Sequence, residues 1–165
     1  MARLLVVHHS PTPTVQRLAD SVVAGTADEA IEGVDVVVRA ALETHADDVL
    51  AADGFLLGTT ANFGYMSGAL KHFFDTIFLE AGGALADDGS AAGTPAGAPG
   101  KKPYGLFVHG RYDTTGAVRS VQTIVGALPW RQAAPVLEVL GDPGDEQLGA
   151  AYELGGTLAA LLMDN

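Results

Sequence analysis

The stretch HHSPTPTVQRLA, residues 8–19, decides how this chain is organised. It follows the apolar run of residues 4–7 and leads into apolar residues at helical spacing, so it predicts a strand that hands over to a helix. Three hydroxyls, those of Ser10, Thr12 and Thr14, stand at the junction with Pro11 and Pro13. Capping a helix needs only one hydroxyl. We therefore expect a ligand with acceptor oxygens, such as a phosphate, at this helix N-terminus.

The same pattern recurs along the chain. Continuous apolar runs are typical of parallel strands that are buried on both faces, and segments of helical period lie between them. The runs are at residues 3–9, 34–39, 54–58, 104–108 and 134–140. This alternation predicts an α/β fold, a three-layer α/β/α sandwich with a five-stranded parallel sheet, in a single domain over residues 1–165. A short helix is expected near residues 45–52.

One segment does not fit the alternation. Residues 81–102, AGGALADDGSAAGTPAGAPGKK, are rich in Gly, Ala and Pro and have no clear period. We interpret them as a long loop between the third helix and the fourth strand. A lid, an oligomer contact and a tolerated insertion all remain open as roles. Trp130 lies away from the polar loops in sequence and is interpreted as a packing or interface residue.

Composition excludes several classes of function. The chain has 165 residues, of which 48% are hydrophobic. Its formal net charge of −11 disfavours binding to nucleic acid or to an anionic membrane surface. It has no cysteine, so redox chemistry would need a cofactor. No apolar run is long enough for a membrane span, and the apolar start is too short for a signal-peptide core. We expect a cytoplasmic protein.

Three polar loops are expected to meet at one edge of the sheet. Ligands of open parallel sheets bind beyond the carboxyl ends of the strands. The loops that follow strands one, three and four, at residues 10–15, 59–66 and 109–116, could together surround a flat ligand with a phosphate tail. GxxxxGK[ST], GxGxxG and GxSxG are all absent. No metal site is expected, because the adjacent His8 and His9 point to opposite faces of a strand.

Residues 58–75, GTTANFGYMSGALKHFFD, resemble the flavin-binding segment of flavodoxin-like NAD(P)H-dependent FMN and quinone reductases. That segment commonly has the form G-[ST]-P-x-x-F-G-x-M-x-G-x-[LM]-K-x-F-x-D. The resemblance implies a flavodoxin-like fold with strand order 2-1-3-4-5 and FMN as cofactor. It also implies NAD(P)H as electron donor, with hydride transfer through flavin N5 to FMN, a quinone or another small acceptor. The flavin would carry the chemistry, so no protein residue is assigned a catalytic role.

The resemblance also implies a set of cofactor-binding residues. The first loop would hold the FMN phosphate, the second would wrap the isoalloxazine ring, and the third would line the other edge of the ring. These residues are Ser10, Thr12, Pro13, Thr14 and Val15; Thr60, Ala61, Asn62, Phe63, Gly64 and Tyr65; and His109, Gly110, Arg111 and Tyr112. Two departures stand out. Pro13 occupies a position where the family usually has Gly, and Thr60 replaces the usual Pro. Each proline of the first loop removes a backbone donor.

Other functions remain open. A flavodoxin-type electron-transfer protein without NAD(P)H turnover of its own is the main alternative, and the acidic charge favours it because such carriers dock on basic partners. A flavin-dependent sensor with little turnover is a third. The partner would be a small-molecule acceptor or a redox protein. The resemblance further implies a homo-oligomer, a dimer or a tetramer.

Overall fold

The computed structural model describes residues 1–83, 85–89 and 100–163. Strands and helices alternate along these residues. The strands are β1 (Ala2–His8), β2 (Val34–Ala40), β3 (Gly54–Asn62), β4 (Tyr65–Met66), β5 (Lys102–Gly110), β6 (Trp130–Gln132) and β7 (Leu137–Leu140). The α-helices are α1 (Pro13–Thr26), α2 (Ala46–Leu50), α3 (Gly68–Ile77), α4 (Thr115–Val125) and α5 (Asp145–Ala160), and a 3-10 turn spans Ala41–Glu43.

The sheet has the order β2-β1-β3-β5, with β6 and β7 both at the outer side of β5. All of these strands are parallel, and only the short β4 runs antiparallel, to β3. The predicted fold class is therefore confirmed. The strand count differs, because two short strands share the fifth position. Pro135, which lacks an N–H for a sheet hydrogen bond, lies in the gap between them.

Side chains alternate between two apolar layers, as expected for a sheet covered on both faces. Leu5 and Val7 of β1 face the layer under α3 and α4. Leu4 and Val6 face the layer under α1 and α5. Trp130 is buried in the first layer, where its ring stacks on Phe55 with centroids 3.9 Å apart. Its interpretation as a packing residue is therefore confirmed.

Helix α5 contains a glycine pair that weakens a helix prediction, and tertiary packing accounts for it. A Cβ on Gly155 would lie 1.9 Å from the carbonyl oxygen of Val22 in α1, and a Cβ on Gly25 would lie 1.9 Å from that of Tyr152. Backbone therefore meets backbone where α1 crosses α5. Glycine is required because no side chain fits between them.

Part of the predicted loop at residues 81–102 lies outside the described residues, namely residue 84 and residues 90–99. Its described start forms turns beyond the end of α3, with the Gly83 N–H donating to the carbonyl of Phe78 at 2.9 Å. Across the described ranges, no helix has the length and apolar character that a membrane crossing needs. No cluster of His, Asp and Glu among the same residues is placed to hold a metal ion.

Candidate functional site

A cleft of about 490 Å³ opens at the carboxyl edge of the sheet. This volume is typical of sites for small molecules and cofactors. Its lining residues come from the loops that follow β1, β3 and β5. They are Thr12, Thr60, Ala61, Asn62, Phe63, Gly64, His109, Gly110, Arg111, Tyr112 and Asp113. The structure thus brings residues from all three loops together at one site.

A tight hairpin forms one wall of the cleft. Asn62 of β3 pairs with Tyr65 of β4, so only Phe63 and Gly64 connect the two strands. Both have positive φ, 50° and 78°, as a type I′ turn requires. The left-handed conformation costs a residue with a side chain about 1–2 kcal/mol. The Phe63 ring is nevertheless fully exposed, so packing within the fold does not repay this strain. Such strain often marks a functional constraint.

Helix α4 braces this hairpin from behind. A Cβ on Gly116 would lie 1.9 Å from the carbonyl oxygen of Gly64. The Ser120 hydroxyl accepts a hydrogen bond from the Met66 N–H at 3.4 Å. Sequence reasoning placed Gly116 at the end of the third loop without assigning it a role, and it missed Ser120, because both contacts join elements that are distant in sequence. A glycine in the first turn of a helix was the only available signal.

Two adjacent threonines at the end of β3 have different surroundings. The Thr59 hydroxyl donates to the carbonyl of Thr60 at 2.9 Å and accepts from the Ser67 N–H at 2.9 Å. Ser67 in turn caps α3 by accepting from the Leu70 N–H at 3.1 Å. Thr60 lines the cleft and is only 9% exposed, yet its buried Oγ1 has no hydrogen-bond partner. Among the described residues it is the one buried side-chain polar atom without a partner.

The loop after β5 is fastened to the turn after β7. His109 donates from Nε2 to the carbonyl of Gly141 at 2.8 Å, which fixes the orientation of the buried imidazole. Arg111 forms an ion pair with Asp142, with Nη1 and Oδ1 3.1 Å apart. Both partners of the pair are more than half exposed, so the pair contributes little stability.

The same loop places a second exposed aromatic ring at the cleft. Tyr112 is 93% exposed. The next residue, Asp113, also lines the cleft, although it was not among the expected cofactor-binding residues. Its carboxylate accepts from the Thr115 N–H at 2.9 Å, and this hydrogen bond lowers its pKa. Thr114 donates to the Glu138 carboxylate in β7.

The first loop contributes less to the lining than the sequence predicts. Thr12 caps α1, with Oγ1 accepting from the Val15 N–H at 3.4 Å. Pro13 opens the helix without an N–H to offer. Ser10 Oγ lies 2.8 Å from Nδ1 of His8, and partial burial lowers the pKa of that imidazole. The expected site residues that do not line the cleft are Ser10, Pro13, Thr14, Val15 and Tyr65.

Comparison with known proteins gives the following relatives. The chain is 32% identical to a flavodoxin of Aquifex aeolicus over 56% of this chain and 48% of that protein. It is 30% identical to an NAD(P)H dehydrogenase (quinone) of Acidithiobacillus ferrooxidans over 46% of each. The matched parts thus span about half the length of these relatives. No protein-family profile matches the chain.

The fold is also that of solved flavodoxins. A flavodoxin from the domain Archaea superposes with a TM-score of 0.76 at 19% identity, covering 97% of this chain and 98% of that one. The strand order of this chain, β2-β1-β3-β5 with β6 and β7 beside β5, agrees with the order 2-1-3-4-5 expected from the resemblance. The chain therefore has a flavodoxin-like fold, and part of its sequence is similar to a flavodoxin and to an NAD(P)H dehydrogenase (quinone).

Proposed function

We propose that the chain binds FMN in this cleft and works as an FMN-dependent oxidoreductase. The observation that carries the proposal is the pair of exposed aromatic rings, Phe63 and Tyr112, on two loops of one cleft. Apolar rings held in water gain free energy when a flat aromatic ligand covers them. The strained backbone at Phe63 holds one of these rings at the cleft.

The residues present fit the two ends of this cofactor. A phosphate at the N-terminus of α1 would be favoured by the helix dipole and could accept from the Thr12 hydroxyl and the Thr14 N–H. The ring would lie among residues 60–64 and 109–112, where Thr60 offers an unpaired hydroxyl. The prolines lower the number of backbone donors, so hydroxyls carry more of the phosphate contact.

FMN supplies the acceptance and release of electrons at its N5 atom, and this chemistry belongs to the cofactor. The chain's own residues bind and orient the ring. The hairpin, held by α4, would fix one edge of the ring, and the loop anchored at Gly141 would fix the other. This positioning is the protein's main contribution to the rate, because it holds the reacting atoms at a fixed geometry.

We further propose NAD(P)H as the electron donor and a quinone or other small molecule as the acceptor. The resemblance of residues 58–75 to the reductase segment supports this assignment, as does the relative named NAD(P)H dehydrogenase (quinone). Arg111, more than half exposed, could contact the cofactor or the phosphate of the donor. The expected homo-oligomer and the cytoplasmic location remain part of this proposal.

A flavodoxin-type electron carrier is the second candidate. The relative named flavodoxin and the net charge of −11 favour it, because acidic carriers dock on basic partners. Steady-state oxidation of NADH and NADPH with a quinone separates the two. Turnover by the FMN-loaded chain supports the reductase. Reduction only by a separate reductase protein supports the carrier.

The first experiment is a titration of FMN by quenching of its fluorescence. We expect saturable binding by the wild-type chain and about tenfold weaker binding by Phe63→Ala, because an aromatic contact contributes about 1 kcal/mol beyond its buried area. Leu79→Ala is the matched control, since Leu79 is also exposed but does not line the cleft. A folded wild-type chain that leaves FMN fluorescence unchanged contradicts the proposal.

A further inference from the structure

Thr60 has a hydroxyl group without a hydrogen-bond partner. Thr60 is more than nine-tenths buried and lines the cleft, and its Oγ1 has no hydrogen-bond partner. A buried hydroxyl without a hydrogen bond destabilises a fold, whereas a valine of the same shape would fill this position without that penalty. Folding therefore does not explain why the position carries a hydroxyl. A ligand that accepts or donates there would.

His109 is the direct neighbour of Thr60 across the sheet. The two residues are register partners in β3 and β5, and both line the cleft. The imidazole donates from Nε2 to the carbonyl of Gly141 at 2.8 Å. In the neutral ring that bond makes Nδ1 the acceptor. No described residue hydrogen-bonds to Nδ1, whereas Nε2 is fully engaged.

We propose that Thr60 and His109 act together as a specificity pair for the pyrimidine-dione edge of the flavin ring, where an N–H stands beside a carbonyl. The Thr60 hydroxyl donates to the carbonyl oxygen, and His109 Nδ1 accepts from the ring N3–H. The inference rests on the proposed function and deepens it, because it names the part of the ring that this chain recognises with side chains.

The pairing has a direct consequence for selectivity. A site built from buried polar groups rejects a ligand that cannot satisfy them, because those groups are then left unpaired. A flavin methylated at N3 offers His109 no proton. Such a ligand should bind far more weakly than FMN, even though its ring stacks on the same aromatic residues.

The test uses three variants, Thr60→Val, Thr60→Ser and Thr59→Val. We expect Thr60→Val to weaken FMN binding about tenfold, which corresponds to about 1.4 kcal/mol, and Thr60→Ser to restore it to within about threefold. Unfolding in denaturant without ligand is the second readout. Thr60→Val should unfold at the same or a higher denaturant concentration, because it removes an unpaired group. Thr59→Val should unfold earlier, because its hydroxyl makes two hydrogen bonds.

The N3-methylated FMN serves as the probe for His109. We expect the wild-type chain to bind it at least tenfold more weakly than FMN, and His109→Ala to bind the two flavins with similar affinity. Equal affinities of the wild-type chain for both flavins overturn the inference. So does a Thr60→Val variant that keeps full FMN affinity, or one that loses affinity and stability together. A folded wild-type chain that binds neither flavin contradicts the proposed function itself.

Discussion

The contact between α1 and α5 is tightly packed, whereas the cleft at the carboxyl edge of the sheet leaves side chains without packing or hydrogen-bond partners. Where α1 crosses α5, Gly25 and Gly155 let backbone touch backbone, and a single added carbon would have no room. At the cleft, Phe63 and Tyr112 hold their rings in solvent, and Thr60 keeps a buried hydroxyl without a partner.

The α1–α5 contact stabilises the fold, whereas the features of the cleft do not stabilise it and fit the binding of a ligand. Consistency between sequence and structure is expected throughout a fold, except where function demands otherwise. The α1–α5 contact has that consistency. The cleft lacks it in three ways, namely backbone strain, exposed apolar rings and an unpaired polar atom, and all three lie within one site.

We expect the largest effect on stability at the contact between α1 and α5. Gly155→Ala would place a Cβ 1.9 Å from the Val22 carbonyl oxygen, so we expect a loss of about 3 kcal/mol in the free energy of unfolding, the upper end for overpacking. Urea denaturation measures it. Gly149→Ala is the control in the same helix, since nothing lies within 4 Å of its added Cβ, and it should stabilise by about 0.5–1 kcal/mol. Equal effects of the two variants would remove the basis of the comparison.

A similar contact at the cleft should affect binding more than stability. Gly116→Ala would push α4 away from the Gly64 carbonyl and so displace the hairpin. We expect FMN affinity to fall about tenfold or more, with a loss of stability of about 1–2 kcal/mol. Fluorescence titration and urea denaturation of the same sample give both numbers. Gly68→Ala is the control, since its added Cβ would meet nothing within 4 Å. It should change FMN affinity by less than about twofold and stability by less than about 0.5 kcal/mol.

Phe63→Gly should move stability and affinity in opposite directions. Glycine relieves the left-handed strain, so the unliganded protein should gain about 1 kcal/mol. The ring that would cover the flavin is lost at the same time, and FMN affinity should fall. Thermal unfolding with and without FMN measures both effects. If the variant is less stable without ligand, then the Phe63 ring stabilises the fold, and this residue is not kept for a ligand.

The smallest expected effect concerns pH. Burial lowers the pKa of His8 below its ordinary value of 6.5, with Asp20 opposing and His9 adding to the shift. The unfolded chain therefore binds this proton more readily than the folded one, so stability falls as the pH drops through 6.5 and levels off below the lowered pKa. His8→Gln should flatten that part of the stability curve. An unchanged pH profile between pH 8 and 5 would show that His8 does not contribute.

Much of the fold follows from sequence pattern, because continuous apolar runs and helical periods each depend on nearby residues. The position of the cleft follows from where parallel strands end. The split of the fifth strand, the bracing of the hairpin by Gly116, and the missing partner of Thr60 all depend on residues that are distant in sequence. Pattern reasoning treated Thr60 as one member of a loop, whereas its distinctive property is a hydrogen bond that it does not make.

The interruption of the fifth strand also bears on how copies of the chain can associate. An intact edge strand offers a long row of unpaired backbone groups on which another chain can extend the sheet. Here the break between Gln132 and Leu137 leaves segments of only three and four residues. Sheet extension from this edge is therefore a poor route to aggregation, and the opposite edge, formed by the seven-residue β2, is the longer edge on which another chain could extend the sheet.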